Sequence, residues 1–347
     1  VKLRKGRSFI VSVSTSEADP KTFAPTFKML ARQSGEISDA HQQLLHCADT
    51  LITHHNGIRK IQAGYSWLYA GLLRETLISL PGLTLCAGKA DEFEEILDNL
   101  IADNYQRLTS RTTQVEAPLY MAVVLQYYID HGADAKKVWK KYGKIQKEIL
   151  ESYLPGVRRE VTMHPNGLLW AQMDGVALSW MNAYINGRAV TERAGYQVET
   201  NALWYNAICF ALEMEKRRGG DKAFVAKWTP IAQLVKDNYT KVFFNERLGY
   251  LADYVDDNGQ NMEVRPNQLC AIWVKHSPVE EELAPMVLRV IDRELITARG
   301  LRTLSPRDAK YRGVYEGSQL DRDLAYHQGS TRPFLLAPYI VTCFRVK

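Results

Sequence analysis

Aromatic rings, carboxylates and guanidinium groups recur together in a few short stretches of this chain. The first reads Gly64-Tyr65-Ser66-Trp67, followed by Arg74-Glu75-Thr76 and Leu80-Pro81-Gly82-Leu83. A later one holds Asn166-Gly167-Leu168-Leu169, Trp180-Met181-Asn182-Ala183 and Val198-Glu199-Thr200-Asn201-Ala202-Leu203-Trp204. Then come Arg265-Pro266-Asn267-Gln268, Tyr311-Arg312-Gly313, Tyr315-Glu316-Gly317 and Tyr326-His327-Gln328-Gly329, with Asp323 just before the last. This mixture suits a sugar. Ring faces cover the apolar side of a pyranose, while carboxylates and arginines hydrogen-bond its hydroxyls. Cleaving a glycosidic bond needs two carboxyl groups, one donating a proton and one activating water or attacking. Plainer readings stand beside this one. Trp180 and Trp204 suit a core. Glu199 suits the first turn of a helix, where the dipole favours an acid. Arg74 with Glu75 suits a structural ion pair, His327 a capping or packing role, and Asp174 a turn before Gly175.

The elements that must hold these residues are helices of two kinds. Some are amphipathic. Phe93, Ile96, Leu97, Leu100 and Ile101 form one stripe at helical spacing, and Val138, Tyr142, Ile145, Ile149 and Tyr153 form another. Leu283, Val287, Val290 and Ile291 form a third, entered through Ser277-Pro278-Val279-Glu280, which has the pattern of a capping box. Other stretches are apolar nearly all round, at 77–87, 119–129, 202–212, 269–274 and 334–344. A helix with no polar face is buried on every side. Outer amphipathic helices alternating with inner buried ones predict an all-α fold, a double ring with about five helices of each kind. The first outer helix is expected around 36–53, with His54-His55 at its frayed end. Closing a six-pair toroid would take about one more pair, so the ring is expected to be incomplete. Links from inner to outer helices are short. Links from outer to inner helices, at 64–75, 107–118, 155–199, 245–266 and 295–332, are long and carry the motifs. Each ends at the N-terminus of an inner helix, so all are expected over one end of the ring, where sites are usually built.

Upstream, Phe9, Val11 and Val13 alternate as in a strand, and Pro20 and Pro25 mark a linker. A lone strand is unstable, so residues 1–33 are read as the tail of an upstream β-rich domain plus linker, and 34–347 as the helical domain. The chain starts at Val1 and reads as a piece of a longer protein. A hydrophobic share of 46% and a charged share of 24% suit a globular protein with a sizeable core. The net charge of +5 is spread along the chain, which argues against a nucleic-acid stripe. No apolar run has the length of a membrane span. The five cysteines are far apart without a CxxC pair, and the histidines lack HExxH spacing. Reduced thiols are expected, and neither metal nor organic cofactor is implied. The compartment is left open, with the cytoplasm favoured.

In this order, the motifs between about residues 48 and 340 resemble the glucosidase domain of glycogen debranching enzymes, particularly of the prokaryotic type. The resemblance implies an (α/α)6 barrel that hydrolyses α-1,6-linked glucose in branched glucans, preceded by a β-rich domain. It implies that Tyr65, Trp67, Arg74, Glu75, Trp180, Glu199, Arg265, His327 and Gln328 contact substrate. It puts the general acid at position 182, where the family has Asp and this chain has Asn182. Two further departures are Leu72-Leu73-Arg74-Glu75 in place of a Trp-Gly-Arg-Asp segment, and Arg332 in place of a Trp. An amide cannot donate a proton as a carboxylic acid does, and losing general acid catalysis costs roughly 10²–10⁴ in rate. Asp323 and then Glu316 are the candidates for the water-activating base. The alternative is a glucan-binding relative that has lost efficient hydrolysis.

Overall fold

The computed structural model describes residues 9–13, 17–33, 39–55, 57–62, 72–218 and 220–346. Twelve α-helices follow one another among them: α1 (Phe23–Gln33), α2 (Ala40–Leu51), α3 (Leu73–Leu83), α4 (Ala90–Thr109), α5 (Tyr120–Asp130), α6 (Ala135–Ser152), α7 (Val198–Arg218), α8 (Lys222–Phe243), α9 (Leu269–Trp273), α10 (Ala284–Glu294), α11 (Gln319–Ala325) and α12 (Leu336–Val346). The cause of each is local. In α3, Leu73, Leu77 and Leu80 recur at helical spacing and are all buried. Side chains cap the amphipathic helices: Asp134 accepts from the Lys137 N–H before α6, and Asp221 from the Phe224 N–H before α8, both at 2.9 Å.

The apolar and amphipathic helices sort into two rows. Helices α3, α5, α7, α9 and α12 pack each against the next. Behind them, α4 packs on α3 and α6, α6 on α5 and α7, α8 on α7, and α10 on α9 and α12. One continuous core joins the rows, with Trp139, Trp204 and Trp228 fully buried in it. Helix α12 departs from its row, because Ile340 and Phe344 are 49% and 88% exposed. No helix among the described residues is long and apolar enough to cross a membrane.

Four sequence expectations need correction. The fold is mostly helical but not all-α, since the long links fold into small antiparallel sheets. In the largest, Gly259–Asn261, Tyr254–Asp256, Gly195–Gln197, Leu169–Ala171 and Val161–Met163 lie side by side in that order. Gly195 permits the close pairing. Its φ is +115°, and a Cβ there would sit 2.2 Å from the Val255 carbonyl oxygen. Secondly, residues 9–13 form no strand among the described residues, with Phe9, Val11 and Val13 exposed; the upstream domain expected to pair with them is not part of this chain. Thirdly, α2 stops at Leu51 rather than fraying at His54-His55. Ile52–His55 instead pairs with Ile58–Ile61 in a hairpin, whose turn passes through Gly57 at φ +76°. Fourthly, no capping box forms at Ser277. Its hydroxyl donates to the Ala271 carbonyl at 2.8 Å and accepts from the Val279 N–H at 3.1 Å, and α10 starts only at Ala284.

Candidate active site

The first turn of α3 puts Arg74 and Glu75 at the mouth of the inner row. Arg74 is buried. Its Nη2 donates to Glu75 Oε1 at 2.8 Å and its Nη1 to Glu116 Oε1 at 3.1 Å. Glu116 stands just before α5, at the same kind of position as Glu75. Burial pushes the Glu116 carboxyl up, Arg74 pulls the other way, and nearby Glu199 adds to the rise. Asn182 completes this corner. With its amide oxygen turned to Arg74, it accepts from Nη2 at 3.3 Å and donates to the Trp180 carbonyl at 3.2 Å.

Across the mouth, Glu199 occupies the first turn of α7, and the fully buried Arg193 holds it. Arg193 donates from Nη1 and Nη2 to the two Glu199 oxygens, the second at 2.7 Å. Its Nε reaches Asp253 Oδ2 at 2.6 Å. Asp253 Oδ1 accepts from Asn267 Nδ2 at 2.7 Å, and Asn267 Oδ1 accepts from the Trp180 indole N–H at 2.7 Å. Arg265 is equally engaged. It donates to Glu263 at 2.8 Å, to the Thr303 and His327 carbonyls at 3.1 and 2.7 Å, and to Gln328 Oε1 at 2.8 Å. Arg265 and Gln328 therefore brace the loop that carries His327.

The His327 ring is buried, and it meets the Trp180 ring edge-on at 5.2 Å between centroids. Burial, then the charges of Arg332, Arg265 and Arg74, hold its pKa well below the ordinary range, so the ring is neutral near pH 7. Neither ring nitrogen has a hydrogen-bond partner among the described residues. Glu75 Oε2 and Glu116 Oε2 are likewise buried and unpartnered there. Such groups are rare in folded proteins and commonly mark where a ligand or water binds. Beside them, Trp180, Glu199, Asn267, Tyr120 and Phe334 line a cavity of about 210 Å³ that continues between α3, α5, α9 and α12.

Of the residues singled out in the sequence, Arg74, Glu75, Trp180, Asn182, Glu199, Arg265, His327 and Gln328 come together at the N-terminal ends of the inner helices. Tyr65 and Trp67 lie outside the described residues. Asp323 lies on α11, where it accepts from Gln319 Nε2 at 2.7 Å. That helix packs against the strand Tyr184–Ile185, just after Asn182. Glu316 is exposed on the preceding loop. Asp174 is 93% exposed beside Arg188, as a turn residue would be. Trp204 is core, its indole N–H donating to the Gly167 carbonyl at 3.1 Å. Glu116, Arg193 and Asp253 escaped the sequence reading. Only Glu116 had a usable signal, as an acid just before an inner helix.

Residues 39–347 match the protein family described as amylo-alpha-1,6-glucosidase. The glycogen debranching enzyme of Saccharomyces cerevisiae is 26% identical over 175 residues, a match covering 40% of this chain and 11% of that enzyme. The chain thus spans a small part of the length of that relative. Among solved structures, a rhamnosidase from Klebsiella oxytoca with rhamnose bound is a loose likeness, with a TM-score of 0.42 and 10% identity over 67% of this chain and 35% of its own. Since the family match takes in all but the N-terminal end, the chain belongs to the amylo-α-1,6-glucosidase family.

Proposed function

We propose that this chain binds a branched α-glucan at the Arg74–His327 cluster and hydrolyses α-1,6-linked glucose there, weakly, because Asn182 stands at the acid position. One observation carries the reading. Among the described residues, His327 against Trp180 leaves both ring nitrogens without a partner, and Glu75 and Glu116 on Arg74 each leave a buried oxygen without one; these are acceptors that sugar hydroxyls would use beside an aromatic ring. In this reading the two helical rows are an arc of an (α/α)6-type toroid, and residues 1–33 belong with an upstream β-rich domain. Asp323 is the first candidate base and Glu316 the second. The packing of α11 beside the strand that follows Asn182 supports that order. The binding-protein alternative draws support from Asn182 itself, whose amide serves Arg74 and the Trp180 carbonyl without any proton to give. Glucose release from a branched limit dextrin tests the proposal. Slow release above an enzyme-free control is expected. Binding without release selects the alternative, and neither binding nor release rejects both.

A further inference from the structure

A second groove lies on the five-stranded sheet, and it shares no lining residue with the central cavity. Alternation along the strands turns Leu169, Ala171, Gly195 and Gln197 inward, all buried. It turns Thr162, Trp170 and Tyr196 the other way, as paired neighbours across three strands. Trp170 stacks on His164 with centroids 5.4 Å apart and rings 7° from parallel, and it meets Tyr196 edge-on at 4.9 Å. The His164 Nδ1 and Tyr196 hydroxyl lie 2.9 Å apart, which fixes the rings further. From beneath, Asn201 of α7 clamps the strand, accepting from the Leu169 N–H at 2.7 Å and donating to its carbonyl at 3.0 Å. Trp170 lines a groove of about 390 Å³ together with Arg159, Glu160, Thr162 and Gln172. That volume lies in the range of small-molecule sites. Arg159 is exposed and pairs with no acid, and Glu160 Oε2 is buried without a partner, both among the described residues.

We infer that this groove is an accessory site for a linear α-glucan segment, with Trp170 as the stacking platform and Arg159, Glu160 and Gln172 as hydroxyl partners. The inference rests on the glucan reading above for the kind of sugar. The groove itself sets the ligand's character. It sets one aromatic ring beside the Arg159 guanidinium, the Glu160 carboxylate and the Gln172 amide, a mixture of donors and acceptors that suits a hydroxyl-rich chain. Arg158 also lines the groove, but it is buried and donates to Ser152 Oγ and the Leu108 carbonyl. Such a site would hold one arm of a branched molecule while another enters the central cavity, raising the local substrate concentration.

The test uses this chain with 5-fluorotryptophan at its seven Trp positions, titrated with maltoheptaose to millimolar concentration and followed by fluorine NMR. Trp170→Phe and Trp180→Phe assign the two resonances, with circular dichroism confirming that each variant folds. The Trp170 resonance is expected to shift, in the native chain and in Trp180→Phe alike. A stationary Trp170 resonance overturns the inference, whether or not Trp180 moves. With a branched limit dextrin in place of maltoheptaose, a Trp170 shift without a Trp180 shift leaves the accessory site standing and fails the reading of the central cavity instead. Two stationary resonances with both ligands reject both.

Discussion

Two arginine clusters face each other across the mouth of the inner helices, and they differ in how completely they are satisfied. Around Arg193, the charges of Glu199 and Asp253 are met, and Asn267 and Trp180 extend the network. Around Arg74, Glu75 and Glu116 each leave an oxygen unpartnered, and His327 leaves both nitrogens bare, among the described residues. Arg74, Glu116 and His327 are as buried as Arg193, Glu199 and Asp253, while the Glu75 side chain is 35% exposed. In the proposed reading the saturated side is scaffold, and the other side is where a polar ligand would supply the hydrogen bonds missing among the described residues, since a buried unmade hydrogen bond costs about 1–3 kcal/mol.

Mutations can break this contrast. The largest effect is expected from Arg193→Ala, which strands two buried carboxylates. Loss of about 3–5 kcal/mol of unfolding free energy is expected in denaturant titration. A loss under about 1 kcal/mol would remove the scaffold role, being the size of a single ordinary hydrogen bond.

His327 sharpens the other side. Its folded pKa is depressed, so on acidification the unfolded chain takes up the proton first. Stability should fall as the pH drops below about 6.5, by at most about 1.4 kcal/mol per pH unit from this residue. His327→Phe keeps an aromatic ring beside Trp180 and removes the titration. Unfolding measured from pH 7 down to 5 should therefore show a shallower slope in the variant. Equal slopes would mean that the folded protein protonates this ring as readily as the unfolded chain does, against the depressed pKa.

The smallest effect is expected at Glu116. Its folded pKa is raised, so its contribution to stability is full below the ordinary carboxylate range and is lost as the pH rises through the folded value. Glu116→Gln still accepts from Arg74 and carries no charge. At neutral pH it should lie within about 1 kcal/mol of wild type, and the comparison should move in its favour as pH rises. A loss as large as that expected for Arg193→Ala would place Glu116 in the scaffold.

The same contrast marks how much the sequence made legible. Helices announced themselves through long apolar stripes, as in α4 and α6, and the two rows followed from which helices had a polar face. The small sheets did not, because strands of two to four residues are too short for an alternating pattern to register. Trp170 and Tyr196 are neighbours only through pairing across 26 residues of chain. Arg74, Glu75 and Glu199 were legible from their place where long links meet inner helices. Arg193 and Asp253 were not, since their ion pair joins two loops 60 residues apart that share no periodic signal.

The central claim is that position 182 limits a glucan hydrolase. Glucose release from a branched limit dextrin by wild type and by Asn182→Asp tests it most directly. The introduced carboxyl matches the amide in size and would stand beside Arg74, whose charge favours the ionised form. The expected gain is therefore about 10- to 100-fold, growing as the pH falls and the acid keeps its proton. A wild type that already turns over at ordinary enzyme rates, unchanged by Asn182→Asp at every pH, would contradict the claim.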